Sequence, residues 1–290
     1  MDALAPSELI LNPDGSIYHL NLIPEQLAQT IILVGDPDRV PLLTQHFDRV
    51  EIRMQKREFH TQTGELNGRR ISVVSTGIGT DNIDIVLNEL DALANINFTT
   101  RQVREKLVSL EIIRIGTSGS IQPDIPVDSF LLSELAAGFD SLLHYYDSRH
   151  VQMPEMTTAL EEHLELNGQG SRPYVVSCDA GLAEKFKDPR IMSGFTGTNA
   201  GFYGPQGRVL RLPLRDDRHN SRLASFHHKG HRITNLEMET SGIYGLASLL
   251  GHKAVSLNAI IANRTNGTFT KRGNKTVEEL IAFALERLTA

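Results

Sequence analysis

Two carboxylates spaced by two residues, Glu237 and Glu239, flank Met238 where an apolar approach (Ile233, Leu236) meets a small, helix-compatible run at 242–250. In extended chain that spacing puts both acids on one face and the thioether on the other. Carboxylates at such a junction need hydroxyl or cationic partners, and the carboxyl ends of strands in open α/β sheets are where ligands bind. A sugar fits, with vicinal hydroxyls for the acids and an apolar ring face for Met238. A solvated turn with Glu239 near a helix N-terminus uses the same residues.

Two further stretches offer chemistry for an anion. Gly35-Asp36-Pro37-Asp38-Arg39 follows the apolar run 31–34. Its glycine lets backbone approach a ligand, Asp36 can cap and Pro37 can open the helix expected over 40–47. Free helix N–H groups with Arg39 then make an anion site, the alternative being a plain turn with a surface arginine. Arg114 lies inside the apolar run 110–115 and precedes Gly116-Thr117-Ser118-Gly119-Ser120. A buried arginine requires a partner. Either an anion, with loop N–H groups and the Thr117 hydroxyl completing its shell, or a protein carboxylate satisfies it.

A third chemistry lies in Gly201-Phe202-Tyr203-Gly204-Pro205-Gln206-Gly207-Arg208. An aromatic face, an amide and a guanidinium can stack on a planar heterocycle and read its edge, although a structured loop uses the same residues. The run His227-His228-Lys229-Gly230-His231 is read as an exposed helix end and not a metal site, since no acid or cysteine is near in sequence. His19, in Tyr18-His19-Leu20, is by itself an ordinary surface histidine. No GxGxxG or GxxxxGK[ST] pattern occurs, so neither a dinucleotide fold nor a triphosphate loop is indicated.

The elements that must hold these residues alternate β then α from Ile31 to Leu288, which predicts one α/β domain over 18–290 behind a loose leader at 1–17. Strands are expected at 31–35, 70–75, 110–115, 129–137, 173–178 and 254–262, with a Gly/Thr/Ser loop at 116–120, and helices at 82–94, 157–166 and 276–288. A hairpin is expected around 56–60, with turn signals at Gly64 and Asn67-Gly68. The stretches 95–106 and 140–150 read as surface excursion and loop, and 194–211 as irregular and glycine-rich.

The totals narrow the function classes. With 290 residues the chain buries a substantial core, and a net charge of −6 at pI about 6.0 argues against bulk attraction to nucleic acid or anionic membrane. Cys178 is the single cysteine, which leaves no internal disulfide. The N-terminus has no signal-peptide pattern and no run of about 18 apolar residues occurs, so a cytoplasmic protein is expected.

Taken in order, these motifs, with Arg57-Glu58-Phe59, Ser75-Thr76-Gly77-Ile78-Gly79 and Asn263-Arg264-Thr265, resemble the nucleoside phosphorylase superfamily, uridine phosphorylases in particular, over nearly the whole chain, from about His19 to Leu288. The resemblance implies a single-domain fold with a central mixed sheet, a distorted barrel, flanked by helices. It implies phosphate-dependent cleavage of uridine, or of other pyrimidine nucleosides, to uracil and ribose 1-phosphate. Phosphate would be held by Gly35, Arg39, Arg114 and Thr117, with Arg57 from a neighbouring subunit. Ribose would be held by Glu237, Met238 and Glu239, with His19 from that neighbour. The base would be held by Phe202, Gln206 and Arg208, with Gly119 and Ile261 lining its pocket. Arg114, Gln206, Arg208 and Glu239 carry the catalysis in this reading.

The resemblance implies no cofactor beyond phosphate as co-substrate and no metal, since Asn82 replaces the serine that in some relatives binds a monovalent cation near Glu58. It also implies a homodimer as the minimal unit or a hexamer of dimers. Purine members carry an acid where Asn263-Arg264-Thr265 stands. A purine phosphorylase, a nucleosidase of the same fold, or a non-catalytic nucleoside binder are the rival expectations.

Overall fold

A computed structural model describes residues 3–166 and 172–290. The apolar run becomes β1 (Thr30–Val34), buried at every position, and leads into the short helix α1 (Arg39–Thr44). An antiparallel ribbon follows, β2 (Arg49–Lys56), β3 (Phe59–Leu66) and β4 (Arg69–Ser75), then helix α2 (Thr80–Asn95) and a small hairpin, β5 (Ile96–Asn97) with β6 (Gln102–Val103). The middle of the chain supplies β7 (Glu111–Ser120), β8 (Phe130–Gly138), α3 (Pro154–Leu164), β9 (Tyr174–Ser177), α4 (Ala180–Glu184) and β10 (Ile191–Thr198). The last third supplies α5 (His219–Ser225), β11 (His227–His228), β12 (His231–Glu237), α6 (Thr240–Leu249), β13 (Lys253–Asn263), β14 (Thr268–Phe269) and α7 (Gly273–Thr289).

Nearly all of these strands join one mixed sheet, ordered β11-β12-β10-β8-β13-β7-β1-β4-β3-β2. β12 also pairs back onto β7, Asn235 opposite Ser120 and Leu236 opposite Gly119, so that half of the sheet curls into a distorted barrel. β1 runs parallel to β4 and β7, and β7 parallel to β13, so the loops after these strands gather at one end. Helices cover both faces. α2 turns Ile83, Val86, Leu87, Leu90 and Leu93 toward Ile243, Tyr244 and Leu246 of α6. α7 packs Leu280, Ile281, Ala284 and Leu288 into the second cluster with Ile32, Ile113 and Val255. The i, i+3, i+4 spacing of these side chains is the stripe that made the helices legible.

Several expectations are corrected. Residues 116–120, expected as a loop, continue strand β7. Gly64 is not a turn but lies inside β3, where a side chain would come within 2.2 Å of the Arg49 carbonyl oxygen, beside the register shift between Val50 and Ile52. The turn is made by Asn67-Gly68, both at positive φ. The stretch 191–198, partly read as irregular, is the interior strand β10. Its Gly194 and Gly197 leave room for Thr234 and Leu236 of the adjacent strand, which a Cβ would meet at 2.6 and 2.8 Å. His227 and His228 are not a helix end: they pair with His231 and Arg232 across a Lys229-Gly230 turn. An acid does come near, since Glu155 pairs with Lys229 at 2.5 Å and stands 3.5 Å from His228.

The expected leader is also tied down. Leu9 and Ile17 are buried, and the Arg101 guanidinium donates to the carbonyl oxygens of Leu4 (2.8 Å), Ala5 (3.0 Å) and Leu9. Arg101 belongs to the excursion 95–106, so two segments that look unanchored in sequence anchor each other. Stretch 140–150 holds two short 3-10 turns, with Asp140 accepting from Tyr174 and Ser241. Among the described residues no helix is long and apolar enough to cross a membrane.

Candidate active site

The strand ends open into a cleft of about 970 Å³, and twelve of the residues singled out from the sequence line it: Gly35, Arg39, Arg114, Thr117, Gly119, Phe202, Gln206, Arg208, Glu237, Met238, Glu239 and Ile261. At one end the chain leaving β1 turns at Gly35, close against the Gly77 carbonyl. Asp36 does not cap α1; its carboxylate accepts from the Asp38 N–H at 2.9 Å, and Asp38 holds the cap position. Arg39 therefore opens the helix, and its guanidinium donates to the Ile115 carbonyl at 3.3 Å. Burial lowers its pKa and the nearby Arg114 charge adds to that, against the opposing pull of Asp36 and Glu239.

Arg114 is buried and folds back across Gly116, where an added Cβ would lie 2.0 Å from Nη1 and 2.4 Å from Cζ. Its Nη2 donates to Glu239 at 2.6 Å and stands 3.0 Å from Glu237 Oε2. Nη1 donates to Asn258 (3.0 Å) and Ser256 (3.3 Å) on the neighbouring strand β13. Of the two partners left open by the sequence, protein carboxylates are the ones the structure shows. Burial works against the guanidinium's charge, but Glu237 and Glu239 outweigh it and its pKa is raised.

The two acids divide their work. Glu237 ends β12, and its carboxylate accepts from the backbone N–H groups of Glu239 and Thr240 and from the Thr198 hydroxyl (2.6 Å). Its carboxylate thereby satisfies the N–H groups at the start of α6, while Glu239 itself holds the N-cap position, at the helix N-terminus as the alternative reading expects. Glu239 points elsewhere, Oε1 accepting from the Gly79 N–H at 2.8 Å and Oε2 from Arg114. Burial raises its pKa and Glu237 adds to the rise, while Arg114 and the Gly79 N–H oppose it.

At the far end Gln206 is buried in a 3-10 turn, with its Oε1 accepting from Arg208 Nη1 at 2.7 Å. The Arg208 guanidinium lies 3.8 Å over the Phe202 ring and also donates to the Phe202 carbonyl. Burial, and secondarily the charge of Arg264, pulls the Arg208 pKa down to about 10. Gly119 borders Arg208, whose Nη2 lies at an ordinary contact distance, 3.9 Å, from where a Cβ at 119 would stand.

Two named residues lie elsewhere. Arg57 is exposed at the tip of the β2–β3 hairpin with φ of 57°, and His19 engages Glu89 through Nδ1 at 2.7 Å. Sequence reading missed the groups that fix the site: the Gly79 N–H, Ser256 and Asn258, and Arg264, which donates to the Gln206 and Gly207 carbonyls at 2.9 and 3.2 Å. Polar residues alternating within the apolar run 254–260 were the available signal for Ser256 and Asn258. Asn82 and Glu58 also line the cleft.

Comparison with known proteins gives a consistent result. Residues 29–289 match the Phosphorylase superfamily. A uridine phosphorylase of Thermococcus kodakarensis is 30% identical over 267 residues, 90% of this chain and 83% of its own length. A DeoD-type purine nucleoside phosphorylase of Bacillus velezensis is 24% identical over 280 residues, 93% and 99% of the two chains. A solved Trypanosoma brucei nucleoside phosphorylase that shows uridine phosphorylase activity superposes with a TM-score of 0.88 at 27% identity, over 97% of this chain and 99% of that one. From the curled sheet, the cleft at its strand ends and a match running almost end to end, the chain belongs to the phosphorylase superfamily, a family of pentosyltransferases.

Proposed function

We propose that this enzyme is a uridine phosphorylase, converting uridine and phosphate to uracil and ribose 1-phosphate. The observation that carries the reading is one cleft lined both by the Gln206–Arg208 pair and by Arg39 and Arg114, with Glu239 bonded to Arg114. An amide matches the N3–H and one carbonyl of uracil, and a guanidinium suits the other carbonyl. A purine leaving group needs an acid at N7; Asn263-Arg264-Thr265 supplies none at that place.

In this mechanism a phosphate oxygen attacks C1′ from the face opposite the base, through a transition state with oxocarbenium character. The C–O bond forms as the C1′–N1 bond breaks, and the bonding pair passes into the uracil ring. Arg208 and Gln206 stabilise the charge growing on the uracil oxygens, and the proton that phosphate loses equals the one uracil gains. Glu239 accepts from ribose hydroxyls, and Met238 packs the sugar face. Positioning and fixed charge supply the rate.

Charge balance supports a shared site. Arg39 and Arg114 are offset by Glu237 and Glu239, so a phosphate dianion needs a further cation. Arg57 on an exposed hairpin tip suits delivery into the cleft of a second copy, and His19 on the same edge suits delivery to the ribose 5′-hydroxyl. A homodimer, alone or within a hexamer, and a cytoplasmic location complete the proposal. Base release from uridine, thymidine, inosine and adenosine, measured with and without phosphate, tests it. Phosphate-dependent release from uridine is expected; release mainly from inosine or adenosine would move the enzyme to the purine branch, and phosphate-independent release would make it a nucleosidase.

A further inference from the structure

The anion end is braced from behind by a chain of side chains the reaction does not use. His60 Nδ1 lies 3.2 Å from the Pro37 carbonyl oxygen, inside the turn that carries Gly35 to Arg39. Its Nε2 lies 3.1 Å from Gln62 Nε2, and Gln62 Oε1 accepts from the Thr44 hydroxyl at 2.6 Å. The Pro37 oxygen can only accept, so Nδ1 carries the hydrogen. In the neutral ring Nε2 is then an acceptor, which fixes Gln62 with its amide donating to His60 and its oxygen toward Thr44. A protonated ring is served by the flipped amide, so the bond to Pro37 persists in both protonation states.

The same residue is tied to the opposite wall. The His60 N–H donates to the Ser75 hydroxyl at 2.7 Å, and that hydroxyl donates to the Glu58 carbonyl at 2.5 Å. Ser75 ends β4, immediately before the 76–79 loop that meets Gly35 and holds Glu239. The Pro37 oxygen also accepts from the Val40 N–H at 3.2 Å, so the His60 bond sets where the first turn of α1 sits. Arg39 projects from that turn.

We propose that His60 is a positioning residue for phosphate: held by Gln62 and Thr44, it pins the Pro37 carbonyl and fixes the turn that presents Gly35 and Arg39 to the anion. The proposal rests on the uridine phosphorylase reading only for its kinetic readout, because phosphate binding alone can be measured by calorimetry. Replacing His60→Phe removes the bond to Pro37 at similar bulk. His60→Asn keeps an N–H near the Nδ1 position.

The His60→Phe enzyme is expected to bind inorganic phosphate about tenfold more weakly and to show a matching rise in KM for phosphate, with KM for uridine within about twofold. His60→Asn is expected to recover most of the loss. Equal rises in both KM values, or a fall in melting temperature with unchanged phosphate affinity, would overturn the assignment, as would phosphate binding that His60→Phe leaves intact. Should the wild-type enzyme bind phosphate yet not cleave uridine, weaker binding in His60→Phe would still support His60 while the substrate reading fell. Wild-type protein that binds no phosphate would overturn both.

Discussion

Gly116→Ala is the sharpest single test of how Arg114 is held. The backbone there is not left-handed, so alanine meets no conformational penalty of its own. The new methyl would instead lie 2.0 Å from Nη1, 2.4 Å from Cζ and 2.6 Å from Nη2 of Arg114. Those atoms belong to the group donating to Glu239, Asn258 and Ser256, so it cannot shift by an ångström without releasing them. Breaking a buried ion pair costs roughly 3–5 kcal/mol. Spread over a chain of this size, that is a fall in melting temperature on the order of 10 °C.

Glu239 would lose its cationic partner at the same time, and kcat/KM for phosphorolysis of uridine should drop about 100-fold or more. Thermal unfolding with steady-state uracil release, at saturating and limiting phosphate, measures both. Gly204→Ala, where nothing lies within 4 Å of the added methyl, serves as the stability control. A Gly116→Ala enzyme melting within about 2 °C of wild type and working within about threefold would refute the placement of Arg114.

Three other outcomes are expected. Arg208→Met should lower kcat on uridine by about 10²–10³ while changing KM for phosphate little, measured by steady-state kinetics with each substrate varied. Arg57→Ala and Glu239→Ala should each be inactive, but co-expressed subunits should regain about a quarter of wild-type activity through the one intact site of each mixed dimer; persistent inactivity would place Arg57 outside the site. Burial pushes the Cys178 thiol up to about 11, so at pH 8 only about one thiol in a thousand is ionised. Ellman's reagent should accordingly label it slowly in the native enzyme and stoichiometrically only after unfolding; rapid native labelling would contradict this.

What was legible in the sequence was whatever local chemistry decides. Runs such as 31–34 and 110–115 read as buried strands because few polar residues interrupt them, only Glu111 and Arg114 in the second, and α2 and α7 read as helices from their stripes. The cleft residues were legible only together: each motif alone also serves as a plain turn, a helix end or a structured loop, and it is their joint occurrence in order that points to one site. What escaped was decided by distant partners. Gly64, Gly194 and Gly197 look like turn residues until the neighbouring strand reveals that a side chain has no room. Residues 3–17 look loose until Arg101, far along the chain, gathers their carbonyls. The partner of Arg114 was undecidable for the same reason, because Glu239 is 125 residues away.

Glu237 is at once the lid on the α6 dipole and a neighbour of the Arg114 head group, so the part of the cleft formed by Glu237 and Glu239 is welded to the scaffold. At the opposite end Arg264 and Asn220 hold the Gln206 carbonyl, but just beyond it Val209, Leu210 and Leu212 follow Arg208 with their side chains exposed. Variation can therefore accumulate in the segment after Arg208, which the proposed function gives to the heterocycle, while the Arg114–Glu237–Glu239 cluster stays fixed. One scaffold can thus serve catalysts that differ in the base they release and agree on everything else.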